Sequence, residues 1–374
     1  MPSFELVVLG CGGGPSEHNL SSYLLKPSGA PWSEGIIALE AGSGIGALDR
    51  LLRDQPNLFG ADQVSLKDDG GASICTAAEV YSWIKCFLVS HAHLDHIAGL
   101  ALTASTLGKR CDVYGARQCL SIVEKLFSGE LWPRLASWNV NDSRPLTLRE
   151  LPNDATYHSV SGFSDLSIRI MPLSHGRYSG EATYHSSAFF IRRSGTQHDT
   201  ARELLFFGDV EPDSLATEPH TRDVWRTAAS MIPDTLDTIF IECSYPSGRA
   251  DDELFGHLSP EHLTAELRAL ATEVVNARTQ TRQPDNSQDY DPDEGPVRPR
   301  KRQRRDNTNP SLRGALAGLK VYIIHCKDDL RGAYTEPIYR VIAAQVRALV
   351  EAEELGAEII GVEQGMKIGV YYFA

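Results

Sequence analysis

Three histidines and an aspartate fall within six positions in Ser90-His91-Ala92-His93-Leu94-Asp95-His96-Ile97-Ala98-Gly99. Neutral imidazole and carboxylate both ligate zinc and similar divalent ions. His91 and His93, two apart in extended backbone, point the same way. Asp95 and His96 follow round the turn and can face a second ion. Only 12 histidines occur in 374 residues, so four unrelated loop residues is a poor account of the cluster.

Other candidates stand alone in the sequence. His175 lies among small residues in Leu173-Ser174-His175-Gly176, which would let a metal approach. Asp209 closes Leu204-Leu205-Phe206-Phe207-Gly208-Asp209; it is either a carboxylate bridging two ions or a turn aspartate capping the next segment. Glu242 ends Thr238-Ile239-Phe240-Ile241-Glu242, as a site residue or a buried ion-pair partner. His325 ends Val321-Tyr322-Ile323-Ile324-His325. His257 has its own flanking motif, Gly256-His257-Leu258-Ser259-Pro260. His262 reads as a surface residue of the helix that follows, with Ser259 as its N-cap and Pro260 in its first turn.

These positions need elements to hold them. Cys86-Phe87-Leu88-Val89 reads as the end of a buried strand, and residues 97–102 as the start of a helix. The cluster therefore sits on a strand-to-helix turn. Apolar, β-branched runs at 5–10, 22–25, 36–40, 112–114 and 166–172 read as further strands, with His175 following the last. Cys11-Gly12-Gly13-Gly14-Pro15 is a tight turn, either a plain β-turn or one near the site. Residues 60–73 are polar and glycine-rich, a loop. Residues 116–127 and 337–354 carry helical periodicity, and 367–373 a closing strand. Strand ends carrying His or Asp at one edge of a sheet are where α/β chains gather their sites.

Residues 276–313 break this rhythm. They are rich in Gln, Asn, Asp, Pro and Arg and almost free of aliphatics, so a disordered insertion is expected within one domain spanning 1–374. The basic run 298–305 is either a nuclear localisation signal or a solvated charge run in a linker. The chain's net charge is −13, and the part outside that run is more acidic still. That argues against a nucleic-acid-binding body. No apolar run reaches the ~20 residues that span a bilayer, and the N-terminus lacks a basic n-region. The seven cysteines form no Cys-x-x-Cys pair, which favours free thiols in a reducing compartment. The expected location is cytoplasmic, with the nucleus open through the basic run.

His91-Ala92-His93-Leu94-Asp95-His96, with His175, Asp209 and His325, resembles the metal motif series of the metallo-β-lactamase superfamily. Its His-x-His-Leu-Asp-His-Ile-x-Gly-Leu form is similar to the signature of the class II 3′,5′-cyclic-nucleotide phosphodiesterases. Residues 8–15, Gly256-His257-Leu258-Ser259-Pro260 and Ile324-His325-Cys326-Lys327 resemble that family too. After Leu100 the sequence departs from the family's run of large aliphatics. The resemblance implies an α/β fold, an αββα sandwich of two mixed sheets with flanking helices and metals at one edge. It implies two divalent ions, zinc by default, with manganese or iron also suited to such ligands. One would take His91, His93 and His175, the other Asp95, His96 and His325, with Asp209 bridging. The implied reaction is hydrolysis of cyclic AMP or cyclic GMP to the 5′-monophosphate through a dinuclear metal-bound hydroxide, lowering cyclic-nucleotide signalling. Asp95 would belong to the catalytic group as a ligand, and His257, oriented by Glu242, would serve the leaving oxygen. The alternative on the same scaffold is a tRNA 3′-processing ribonuclease, whose basic RNA-gripping arm the acidic body lacks. A third reading, a non-catalytic nuclear regulator, conflicts with the full ligand set.

Overall fold

The computed structural model describes residues 3–60, 65, 66, 72, 73, 75–178, 182–195, 201–281 and 311–370. In chain order the strands and helices are β1 (Phe4–Gly10), β2 (Ser22–Pro27), β3 (Ile36–Leu39), α1 (Ile45–Asp54), β4 (Ser65–Leu66), β5 (Ala72–Ser73), α2 (Ala77–Ser82), β6 (Ile84–Leu88), α3 (Leu94–Thr103), β7 (Cys111–Gly115), α4 (Arg117–Leu126), β8 (Ala136–Ser137), β9 (Leu146–Glu150), β10 (His158–Val160), β11 (Phe163–Arg177), β12 (Thr183–Arg193), β13 (Arg202–Phe207), α5 (Thr221–Ala229), β14 (Leu236–Glu242), α6 (Pro260–Thr281), β15 (Lys320–Ile324), α7 (Ile338–Ala352), β16 (Glu358–Gly361) and β17 (Lys367–Val370).

The strands form two large mixed sheets. The first runs β17-β1-β2-β3-β6-β7-β9-β8 and the second β10-β11-β12-β13-β14-β15-β16. In each, antiparallel strands give way to parallel ones, from β3–β6 in the first and β13–β14 in the second. Alternation along each strand supplies two buried faces. In β1, Phe4, Leu6 and Val8 face the second sheet, while Val7 and Leu9 face the helices. In the second sheet Phe189, Phe206 and Phe240 face inward, while Phe190, Leu205, Phe207 and Ile239 pack under the helical layer. Strands buried on both faces read as continuous apolar runs, which is why Leu204-Leu205-Phe206-Phe207 shows no polar alternation. The layers are helix, sheet, sheet, helix.

Helix α1 turns Ala47, Leu48, Leu51 and Leu52 to the first sheet, the spacing of one helical face. Helix α3 docks by backbone contacts. The amide of Ala41 donates to the His96 carbonyl (2.8 Å), and those of Gly99 and Leu100 donate to Gly42 and Ala41 (2.9 and 3.1 Å).

Two expectations change. The strand read at 166–172 continues through Arg177, so His175 lies within β11 rather than after it, where the register with β12 is irregular between Ser174 and Arg177. Helix α6 continues to Thr281, past the expected start of the insertion at 276. At the other side, Leu312 packs against the core. Residues 282–310, including the basic run 298–305, and the last residues of the strand expected at 367–373 lie outside the described residues. The loop expected at 60–73 contains the short pair β4–β5. Among the described residues, no helix is long and apolar enough to cross a membrane.

Candidate metal centre

The first sheet brings His91 and His93 after β6, and Asp95 and His96 in the first turn of α3. The second sheet brings His175 from β11, Asp209 just beyond β13, Glu242 at the last position of β14 and His325 just beyond β15. All seven expected ligands meet where the two sheets share an edge. They fall into two groups, His91, His93, His175 and Asp209, then Asp95, His96, Asp209 and His325. Within each, one ligand atom per residue lies inside 4.8 Å of the others. Asp209 belongs to both. Its Oδ1 is 3.2 Å from His96 Nε2, and its Oδ2 is 3.1 Å from His325 Nε2, 3.6 Å from His91 Nε2 and 3.7 Å from His175 Nε2.

The remote ring nitrogens fix which nitrogen faces the centre. His175 Nδ1 donates to the Gly256 carbonyl at 2.8 Å, so its Nε2 presents a lone pair inward. His91 Nδ1 lies 3.0 Å from the Ser90 hydroxyl and His325 Nδ1 3.0 Å from that of Ser21. His96 Nδ1 faces the Glu40 carboxylate at 3.4 Å. His93 turns Nδ1 inward, 3.1 Å from His91 Nε2 and 3.2 Å from His175 Nε2, and stacks on the Tyr184 ring (4.5 Å, 11°).

These groups fit divalent metal ions. Among the described residues, both ring nitrogens of His96, Asp209 Oδ2 and His325 Nε2 are buried with no hydrogen-bond partner. Orphaned atoms of this kind are rare, and cations at the centre would answer His96 Nε2, Asp209 Oδ2 and His325 Nε2, while His96 Nδ1 faces Glu40. Charge points the same way. Burial opposes a charge on His96, but the Asp209 and Glu40 carboxylates push its imidazole well above the ordinary value. Burial would raise the Asp209 carboxyl, yet His325, His96 and His91 hold it well below the usual range. The surroundings demand positive charge beside Asp209.

The remaining expected residues adjoin this centre. His257 Nδ1 lies 2.9 Å from Glu242 Oε1. Glu242 also accepts from the Val210 amide (2.9 Å) and the Ser244 hydroxyl (2.7 Å). Burial, then the nearby Asp209 charge, raises the Glu242 carboxyl to about 7, while burial lowers His257 to about 3. Both shifts disfavour a separated charge pair in a dry site. His262 stands apart, half-buried in the first turn of α6 and 2.8 Å from the Ser259 hydroxyl, which also donates to Glu261. The turn after β1 adjoins the centre. A Cβ on Gly13 would come within 2.5 Å of His325 Nε2, so only glycine fits there.

Sequence reasoning missed Glu40, Ser21, Ser90 and the Gly256 carbonyl. Glu40 and Ser21 reach their histidines from other parts of the chain and Gly256 through its backbone, whereas Ser90 lies next to His91 in the motif itself. Three residues at or beside the centre adopt left-handed backbone, Glu40 (φ 58°), Phe255 (φ 52°) and His325 (φ 59°).

Known proteins share both this fold and the chain's sequence pattern. The unliganded crystal structure of yeast PDE1 superposes with a TM-score of 0.75 at 22% identity, over 98% of this chain and 99% of that one. A metallo-β-lactamase fold protein from Bacillus subtilis, YhfI, superposes with a TM-score of 0.53 at 13% identity, over 98% and 99% of the two chains. The αββα sandwich is thus of the metallo-β-lactamase type. A Schizosaccharomyces pombe protein named 3′,5′-cyclic-nucleotide phosphodiesterase is 33% identical over 283 residues, 73% of this chain and 76% of its own. The family model described as cAMP phosphodiesterases class-II matches residues 7–365, from β1 to the turn before β17 and through every residue of the His/Asp centre, and on that match the chain belongs to the class-II cAMP phosphodiesterase family.

Proposed function

We propose that this chain hydrolyses 3′,5′-cyclic nucleotides, cyclic AMP or cyclic GMP, to nucleoside 5′-monophosphates and so lowers cyclic-nucleotide signalling. The observation that carries the reading is Asp209, one carboxylate common to two groups of ligating side chains. His91, His93 and His175 would hold one divalent ion, and Asp95, His96 and His325 the other, with Asp209 shared and zinc the default metal. Such ions, when bound, supply Lewis acidity, lowering the pKa of water and offsetting charge on phosphodiester oxygens.

The chain's own groups do the rest. Glu40, Ser21, Ser90 and the Gly256 carbonyl orient the ligand rings from behind, which sets tautomer and aim. Glu242 holds a proton against His257 Nδ1 across their 2.9 Å contact, and the ring carries its own on Nε2. As the P–O3′ bond breaks, His257 Nε2 gives its own proton to O3′, and Nδ1 takes up the one from Glu242, leaving a neutral imidazole and a carboxylate. The shifts of both groups support a protonated Glu242 beside a neutral His257.

The test is turnover of cyclic AMP and cyclic GMP by zinc-loaded protein, with 5′- and 3′-products separated. Release of the 5′-monophosphate is expected. Inert behaviour toward both nucleotides, with cleavage of a pre-tRNA 3′ end, would transfer the assignment to the ribonuclease reading.

A further inference from the structure

A separate group of ligating side chains stands outside the centre. His185 on β12 and His220, which precedes α5, flank Glu218 on the segment after β13. Their Nε2 atoms lie 3.9 and 3.8 Å from Glu218 Oε2, and the two rings are 5.9 Å apart. One ligand atom from each of the three falls within 4.8 Å of the others. Neither contact to the carboxylate is short enough for a hydrogen bond. His185 Nδ1 is also buried with no hydrogen-bond partner among the described residues.

Two imidazoles and a carboxylate that converge without bonding leave a gap of ionic size. In a tetrahedral zinc site with bonds of about 2.1 Å, ligand atoms stand roughly 3.4 Å apart. Small side-chain rotations would bring these atoms to that spacing. The backbone beneath them is held. His185 pairs with Ser174 across β11 and β12. The Ser174 hydroxyl donates to the Glu218 carbonyl, and the Glu211 amide donates to the Ser174 carbonyl at 2.8 Å. The Asp213 carboxylate accepts from the amides of Thr221 and Arg222 at 3.0 and 2.8 Å, which fixes the start of α5 and so His220. A site whose ligands rest on fixed backbone gives up little freedom on binding.

We propose that His185, Glu218 and His220 form an accessory site for one divalent transition-metal ion, zinc or a cation of similar affinity for imidazole. Its fourth position opens to water, because the three side chains are only partly buried. The ion would tie the segment that begins at Asp209 to β12, one strand from His175. Its expected effect is on the holding of that segment, not on the chemical step.

The experiment uses the full chain, stripped with chelator and reloaded with zinc alone. Bound zinc is counted by elemental analysis after equilibrium dialysis, and the thermal midpoint is recorded with and without zinc. His185→Ala and Glu218→Gln should each bind one zinc fewer than wild type and show a smaller zinc-induced rise in midpoint, with cyclic AMP turnover within about twofold of wild type. Equal zinc counts in wild type and both variants overturn the proposal. Should His185→Ala fail to fold, Glu218→Gln, a half-exposed side chain, still decides. Because the readout is a difference of one ion, it holds whatever number the main centre binds. Substitution of Asp209 tests that centre separately.

Discussion

At the residue scale, the informative side chains are those one shell out from the proposed ions. His257 is the clearest. His257→Ala is expected to keep its metal content yet slow cyclic AMP hydrolysis about a hundredfold or more, the scale of general acid catalysis. Bis(p-nitrophenyl) phosphate, whose leaving group departs without a proton, should suffer far less. Equal losses on the two substrates would assign His257 to phosphate binding instead. Glu40 makes a second case, at 0% exposure beside His96. Glu40→Gln removes a charge while keeping the shape, and should weaken retention of metal by about 10- to 100-fold. Competition with a graded chelator series measures this, and unchanged retention would make Glu40 a purely structural partner of the Ser90 amide, which donates to its carboxylate at 3.2 Å. Glu40 closes the apolar run Ile36-Ile37-Ala38-Leu39 as Glu242 closes its own, but that pattern does not say what the acid touches. Its importance comes from a contact with a residue more than fifty positions away, and pattern reading has no access to such contacts.

At the element scale, the strand-to-helix turn at residues 89–96 was legible, because buried apolar runs and a dense polar cluster mark their own boundaries. Asp209, Glu242 and His325 were legible for the same reason, as polar residues closing apolar strands. His175 was misplaced. Its strand continues through Ser174-His175-Gly176-Arg177, where a register irregularity replaces the expected strand end, and small polar residues resemble a turn when read without their partner strand. Helix α6 likewise outran its reading. Asn276-Ala277-Arg278-Thr279-Gln280-Thr281 looks like linker, yet it extends a helix already paid for by its buried first turns. The seating of α3 can be tested directly. A Cβ on Gly42 would fall 1.9 Å from the Asp95 carbonyl. Gly42→Ala should therefore displace the first turn of α3, with a destabilisation of about 1–3 kcal/mol and lowered metal content. A variant with wild-type melting and wild-type metal would show that the 41–42 segment yields instead.

At the scale of the whole molecule, the αββα class followed from the resemblance carried by the His/Asp motifs, and the strand patterns alone gave neither that class nor the sheet order. The pairing of β1 with β17 joins the two ends of the described chain, Phe4 opposite Val370, and no local signal encodes such a contact. The segment between α6 and Leu312 offers a test on this scale. Its composition, poor in aliphatics, gives it little to bury. Replacing residues 283–309 by a short glycine linker should leave cyclic AMP turnover and thermal midpoint near wild type. The cut must spare α6 and Leu312, which packs on the core. Loss of soluble protein in that deletion would show that the segment folds against the body.

The left-handed backbone at Phe255 bears on the stability of the entire fold. Phe255 is 69% exposed, so its ring contributes little burial, while its φ of 52° is one that bulky residues avoid. With Gly256 next to it at φ 82°, it makes the bend that sets the Gly256 carbonyl against His175. Thermodynamic optimisation and chemical precision thus pull in opposite directions at one place in the chain. Phe255→Asn, which tolerates this conformation, should stabilise the protein by about 1 kcal/mol, seen as a higher melting midpoint. A lower midpoint would mean that the exposed ring packs after all. The broader consequence concerns engineering: a gain in robustness lies beside the centre, where it must be weighed against turnover, while the apolar side chains of the sheets are already almost wholly buried.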